Sequence, residues 1–360
     1  MDKIGLLTIH NTANYGSTLQ AFALCHALAE IGLDAELIDY ENEAIEARER
    51  PITRRPCTGA KMWLQQRLWG KAFEARYDGM RAFLEEHVRF SAPYTRANIA
   101  LAGEKYKGFV LGSDIVWSPA ITGGDLTYFL DFVPDRVPKI AFGSSIGNQW
   151  DEATARTVAP LIARFSRLSV REEEAVEWLS ELTDQEVELV CDPTVLYRAG
   201  FWSGFAEPAD AKEPYVLVYM RDPEDRCLLD AKQYAKARHF RVKYINFWTP
   251  VPGAESVKPC TIGAFLGLIQ NAECVFTGSY HGMLFSLCFG RELYYYYNGH
   301  SARMRSIAQY LHLERRNGLD CPEAGEPIDY TQVFPLLEEL QNRSWEILRK
   351  SCLVFQNGEN

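Results

Sequence analysis

The chain opens on a short apolar run, a polar glycine-bearing loop, an apolar helical segment and a second short apolar run. That alternation limits the fold more than any other feature. Ile4–Ile9 reads as a buried strand. Ser17–Ile31 places Leu19, Phe22, Ala23, Leu24, Ala27 and Leu28 at helical spacing, and Ala35–Asp39 reads as the next strand. Ser17-x-x-Gln20 has the form of a capping box, and Gly32 stands where a helix-terminating glycine belongs. A strand–helix–strand unit of this kind predicts a parallel sheet with a right-handed crossover.

The alternation continues. Phe109–Leu111, Ile140–Phe142, Arg167–Val170 and Val187–Val190 complete a predicted sheet of about six strands. Residues 41–60 read as an exposed charged loop. Residues 61–90 are helical, with Trp63, Leu64, Leu68, Trp69, Phe73, Tyr77, Met80, Phe83 and Leu84 spaced by threes and fours. That stripe reads as a face packed on the sheet; its alternative is a surface gripping a membrane-borne or sugar acceptor. Tyr197–Pro214, rich in Gly and Pro, reads as a domain junction. Beyond it, strands at Tyr215–Met220, Arg241–Asn246, Cys274–Thr277 and Leu293–Tyr297 alternate with helices at 225–237, 261–270, 281–289 and 303–311. A long helix over about 329–354 is expected to cross back to the first domain. The fold class is therefore α/β: two doubly wound Rossmann-like domains facing a cleft, over 1–197 and 214–320, with a helical tail over 321–360. A length of 360 residues agrees with two domains.

Composition removes several functions. Lys plus Arg is 38 and Asp plus Glu is 48, a net charge of −10, so a general nucleic-acid surface is excluded while a local basic pocket is not. The nine cysteines are scattered without C-x-x-C spacing, which argues against zinc, thioredoxin-type or iron–sulfur chemistry. The P-loop, G-x-G-x-x-G and G-x-S-x-G patterns are missing, D-x-D does not occur, and the histidines lack metal-ligand spacing. The opening apolar run is too short for a signal peptide and no stretch is long enough to span a bilayer, so a cytoplasmic protein is expected.

Four strand-end loops carry candidate chemistry. His10-Asn11-Thr12-Ala13-Asn14-Tyr15-Gly16-Ser17 leads into a helix whose N-terminus suits an oxygen-rich or anionic ligand. Gly112-Ser113-Asp114-Ile115-Val116-Trp117 offers an Asp for sugar hydroxyls and a Trp for stacking, or else an N-cap and a core aromatic. In Ser169-Val170-Arg171-Glu172, a capping box would put Arg171 in a first helical turn, against the helix dipole, unless it pairs with Glu173, Glu174 or Asp192. In Thr277-Gly278-Ser279-Tyr280-His281-Gly282, Ser279 is a natural N-cap and His281 falls in the first turn. There it can donate to a phosphate and supply a proton.

In this order, with Cys191-Asp192-Pro193-Thr194-Val195-Leu196 between the last two and Phe285-Ser286 after them, the segments resemble the polysaccharide pyruvyl transferase family over roughly residues 3–312. The resemblance implies a fold like that of GT-B glycosyltransferases. It implies transfer of pyruvate from phosphoenolpyruvate to two hydroxyls of a sugar in a cell-surface polysaccharide or its precursor, giving a cyclic ketal and phosphate. Phosphoenolpyruvate is then a co-substrate, and no cofactor or metal is called for. On this reading His281 and Arg171 are catalytic, and Ser279, Tyr280, Gly282, Arg303 and Arg305 bind the donor. Asn14, Tyr15, Gly16, Ser17, Asp114 and Trp117 line the acceptor side. Many relatives carry Arg or Asp just before the His-Gly unit, where this chain has Gly278-Ser279-Tyr280. The acceptor would be a sugar or lipid-linked oligosaccharide, with peripheral contact at the inner membrane face through Trp63, Trp69, Phe73, Arg54 and Arg55. The competing readings are a GT-B glycosyltransferase using a nucleotide sugar and a non-catalytic sugar-binding protein of a polysaccharide pathway.

Overall fold

The computed structural model describes residues 3–209, 213–220, 225–245, 250–297, 302–320 and 326–356. The first half of the chain builds a sheet from β1 (Ile4–Leu7), β2 (Ala35–Leu37), β3 (Gly108–Leu111), β4 (Lys139–Ser144), β5 (Arg167–Val170) and β6 (Val187–Leu189), in the order β2-β1-β3-β4-β5-β6. The second half builds another from β7 (Tyr215–Tyr219), β8 (Arg241–Ile245), β9 (Glu255–Val257), β10 (Cys274–Thr277) and β11 (Glu292–Tyr295), in the order β9-β8-β7-β10-β11. All pairings within both sheets are parallel. Strands such as β1, β3 and β7 are buried along their whole length, as expected where helices cover both faces of a parallel sheet. The winding direction reverses between β1 and β3 in one sheet and between β7 and β10 in the other. Such reversals open a crevice beyond the strand carboxyl ends.

The helices that matter for function are α1 (Tyr15–Glu30), α2 (Lys71–His87), α3 (Glu173–Ser180), α4 (Ile262–Gln270), α5 (Tyr280–Cys288), α6 (Ala302–Tyr310) and α7 (Tyr330–Cys352). Helix α1 is buried on nearly every side, because it lies between the first sheet and the second half of the chain. The Tyr15 ring stacks on Phe265 of α4 at 4.4 Å, and its hydroxyl donates to the Cys260 carbonyl at 2.6 Å. Helix α7 returns to the first half. The Gln341 amide donates to the carbonyls of Val195 and Leu196 at 2.9 and 2.8 Å, and the Ser344 hydroxyl accepts the Cys191 N–H at 2.8 Å. Just beyond α7, the Phe355 ring lies so close to Gly108 that a β-carbon there would come within 2.3 Å of it.

Several expectations need correction. Helix α1 begins at Tyr15, capped by Asn14, whose side chain accepts the Gly16 N–H at 2.9 Å. Gln20 is buried and its amide instead serves Ser17 O, Thr8 Oγ1 and Ile9 O. Ser169 and Glu172 do not form a capping box, because α3 begins only at Glu173 and Ser169 donates to the Ala141 carbonyl. Residues 41–60 are not all loop: Asn42 caps a short helix over Glu43–Glu49. The apolar stripe of 61–90 is core only from Phe73 onward, with Phe73, Met80 and Leu84 buried and Trp63, Leu64 and Leu68 exposed. Strand β9 is short and half polar, and it escaped the apolar pattern. The strand read over Arg241–Asn246 ends at Ile245, and Asn246 lies outside the described residues. Among the described residues all cysteines are free, and no helix is long and apolar enough to cross a membrane.

Gln341→Leu deletes both amide donors that tie α7 to the 195–196 turn. The expected loss is about 1–3 kcal/mol, measured by denaturant unfolding.

Candidate functional site

The two strand-order reversals face a single cavity of about 260 Å³. Its first wall comes from the loops after β1 and β3, with Asn14, Asp114 and Ile115, and from Glu49. Its second wall comes from the loop after β10 and the starts of α5 and α6, with Ser279, Tyr280, His281 and Arg303. Phe73 and Arg76 of α2 close one side.

An ionised carboxylate behind the cavity organises these parts. Asp192 follows β6 and is fully buried, and its Oδ1 accepts the Thr194 N–H and hydroxyl at 3.0 and 2.8 Å. Its Oδ2 pairs with Arg171 Nη1, accepts the Ser113 hydroxyl at 3.2 Å and lies 3.4 Å from His281 Nε2. Burial opposes ionisation of Asp192, but His281 and Arg171 outweigh it and hold the carboxyl well below the usual range. Burial likewise disfavours the Arg171 cation, yet Asp192, Tyr280 and Asp114 raise its pKa above the ordinary value. His281 arrives as expected: Ser279 caps α5 by accepting the Gly282 N–H at 3.3 Å, and His281 sits in the first turn. Its ring packs against the N-terminus of α1, where a β-carbon on Gly16 would fall 1.9 Å from Nδ1. Glycine at position 16 is therefore what lets the second half reach the first.

Above that carboxylate two arginines share one aromatic ring. Arg171 and Arg303 both lie over the Tyr280 ring, each 5.0 Å from its centroid. Arg303 is buried, and its Nε has no hydrogen-bond partner among the described residues. Burial first, and then repulsion from Arg171, depress its pKa, so a charged Arg303 is held at a cost. The opposite wall carries carboxylates. Asp114 accepts from the Ser17 hydroxyl and from its neighbour Ile115 N–H at 2.9 Å. Burial opposes the Asp114 charge, but Arg171, then His281 and Ser17, keep it ionised below the normal range. Asp114 adopts φ = 68°, a left-handed backbone that costs about 1–3 kcal/mol outside glycine and clusters at functional sites. Glu49 accepts from Thr12 and pairs with Arg48 at 2.9 Å.

The structure redistributes the candidate residues. Asn14, Asp114, Ser279, Tyr280, His281 and Arg303 line the cavity together. Arg171 sits behind Tyr280 with its side chain fully buried and bound to Asp192, so it positions other groups instead of facing a ligand. Trp117 is core, not a stacking platform: it is fully buried, its indole N–H donates to the Tyr128 carbonyl at 3.0 Å, and it stacks on Phe129. Tyr15, Gly16, Ser17 and Gly282 build the walls through packing and hydrogen bonds, as Gly282 does against Thr277 and Tyr219. Arg305 points outward and pairs with Glu174 at 3.0 Å. Arg76 and Glu49 were not anticipated. A signal existed for Arg76, which lies three residues after Phe73 and four before Met80 on the buried stripe of α2. Glu49 had no distinguishing signal within its charged run. Among the described residues no cluster of His, Cys, Asp and Glu could hold a metal ion.

Two Rossmann-like sheets with opposed crevices define a GT-B architecture, and comparison with solved structures agrees. UDP-GlcNAc 2-epimerase from Neisseria meningitidis, bound to UDP-GlcNAc, superposes with a TM-score of 0.53 at 12% identity, covering 98% of this chain and 100% of that one. Arabidopsis thaliana UGT89C1 complexed with UDP-L-rhamnose gives 0.50 at 10% identity, covering 97% and 99%. The sequence pattern of the family described as polysaccharide pyruvyl transferase matches residues 14–300, and the chain belongs to that family. A sequence search of curated proteins finds no match.

Asp192→Asn strips the buried Arg171 cation of its nearest counter-charge, leaving Asp114 at 3.5 Å, and should cost about 3–5 kcal/mol, whereas Asp192→Leu with Arg171→Met should recover much of that. Because folding lowers the Asp192 pKa, its stabilisation is present above the unfolded carboxylate pKa of about 4 and is lost as pH falls. Urea unfolding at neutral and acidic pH checks both statements: wild type should converge toward Asp192→Asn as the solution is acidified.

Proposed function

We propose that the protein transfers the pyruvyl group of phosphoenolpyruvate to two hydroxyls of a sugar, forming a cyclic ketal and releasing phosphate. The observation that carries this is Arg303: a buried guanidinium with an unpartnered Nε, repelled by Arg171, on the wall of a cavity sized for a small ligand. Such a group is stabilised when a compact anion enters. The carboxylate and phosphate of phosphoenolpyruvate suit the fork of a guanidinium. Arg303 of α6 and Arg76 of α2 both line the cavity and supply the cations this reading needs.

The chemistry divides between the walls. A proton adds to the methylene carbon of phosphoenolpyruvate, for which His281 is the candidate donor, and C2 becomes an oxocarbenium centre. A sugar hydroxyl attacks C2 and loses its proton, restoring the one spent on the methylene. The C2–O bond to phosphate then breaks, with the electron pair leaving on phosphate beside Arg303. The second hydroxyl attacks C2, closes the ring and gives up its proton to the released phosphate. Asn14, Asp114 and Glu49 face this side and are placed to accept hydrogen bonds from the acceptor hydroxyls. Asp114, held ionised, serves as an acceptor throughout.

Arg303→Met and His281→Gln should each lower turnover by about 10²-fold or more. Circular dichroism and urea unfolding of Arg303→Met beside wild type separate loss of the site from loss of the fold. The assay incubates the protein with phosphoenolpyruvate and candidate sugars, reading phosphate release and the ketal methyl signal by proton NMR. Turnover of UDP-sugars with no consumption of phosphoenolpyruvate would replace this reading with glycosyl transfer.

A further inference from the structure

The helical stretch that leads into α2 leaves apolar residues uncovered in an unusual setting. Trp63, Leu64 and Leu68 are 56%, 48% and 55% exposed. They lie within a segment, 50–71, that carries Arg50, Arg54, Arg55, Lys61, Arg67 and Lys71 and not one Asp or Glu, in a chain of net charge −10. All six cations except the half-buried Arg55 are exposed, and of the exposed five Arg54 is paired with Glu74 and Asp78 at 2.8 and 2.7 Å, which leaves Arg50, Lys61, Arg67 and Lys71 to give the face its charge. The segment is one packed unit. The Gln66 side chain donates to the carbonyls of Ile52 and Arg55 at 2.7 and 3.1 Å, and Gly70 fits so closely on Thr53 that a β-carbon would lie 2.6 Å from its methyl. The basic turn and the apolar helix therefore present a common face. Two turns further on, the same helical stretch sends Phe73 and Arg76 to the cavity.

We propose that this face docks on an anionic phospholipid surface and sets the cavity against the bilayer. The proposal rests on the pyruvyl-transfer reading only in supplying a reason for docking, namely a lipid-linked sugar acceptor. Large apolar side chains ringed by Lys and Arg are the composition of interfacial membrane helices, which need apolar insertion and electrostatic attraction together. The charge pattern selects this occupant over a second copy of the chain, because a twofold contact would bring Lys61, Arg67 and Lys71 against their own copies. It also sets the orientation, since the acidic remainder of the protein is repelled by the same surface.

The test is flotation of the full-length chain with vesicles of phosphatidylcholine alone and of phosphatidylcholine with phosphatidylglycerol. Binding is expected only to the anionic vesicles and should fall steeply as salt shortens the screening length. Trp63→Ser/Leu64→Ser/Leu68→Ser and, separately, Lys61→Glu/Arg67→Glu should each reduce partitioning at least tenfold. Both variants should keep the wild-type circular dichroism and the wild-type response to phosphoenolpyruvate in solution. No binding to anionic vesicles, binding unchanged in both variants, or a wild-type dimer that these substitutions dissociate would overturn the proposal. The readout needs no substrate, so failure of the pyruvyl-transfer reading would leave the vesicle result standing on its own.

Discussion

Asp192 is the charge on which the site depends. It sits after β6 with no access to water, and it keeps its charge because Arg171 after β5 and His281 on α5 stand against it. The three groups come from both halves of the chain, so the same contact that keeps Asp192 ionised draws the two sheets together. An uncompensated charge in such surroundings would cost several kcal/mol. Folding of the first half and docking of the second are thereby coupled to one small electrostatic cluster. Helix α1 makes the closeness sterically feasible, with Gly16 giving the His281 ring its place and Tyr15 bonding across to Cys260.

With Asp192 committed to Arg171 and His281, Arg303 has no hydrogen-bonded carboxylate among the described residues, and Asp114 and Glu172 offset its burial and the repulsion only in part. It shares the Tyr280 ring with Arg171 and suffers that neighbour's repulsion. A protein that is acidic overall has thus concentrated positive potential at one cavity wall, while Asp114, Glu49 and Asn14 occupy the other. The polarity suits a reaction between a trianionic donor and a neutral polyhydroxylated acceptor. The strained backbone of Asp114 and the buried charge of Arg303 are both local costs, of the kind that stability alone would not retain.

The parallel sheets were legible in the sequence because the strands, apart from the half-polar edge strand β9, are short apolar runs ending in polar loops. The loop after β10 was legible for the same reason, with Ser279 and His281 fixed by local capping geometry. Side chains whose direction depends on distant partners were not. For Arg171 the sequence left open an anion ligand or a partner among Glu173, Glu174 and Asp192, and the fold selects Asp192. Arg303 and Arg305 are two apart on a helix and must point to different faces. The spacing from Arg303 to Ile307, one turn along the buried face, held the information that Arg303 is the inward one. Trp117 could not be separated from a stacking residue until the segment carrying Tyr128 and Phe129 folded over it. Membership of the family names the chemistry to consider, and the structure shows which cation lines the cavity.

The most direct measurement of the central claim is calorimetric titration of phosphoenolpyruvate into the wild-type protein and into Arg303→Met, with UDP-GlcNAc as the contrasting ligand. Saturable binding of phosphoenolpyruvate is expected, at least tenfold weaker in the variant, a loss of about 1.4 kcal/mol or more, with no comparable binding of UDP-GlcNAc. Equal affinity of the two proteins for phosphoenolpyruvate, or tight binding of UDP-GlcNAc in its place, would contradict the claim.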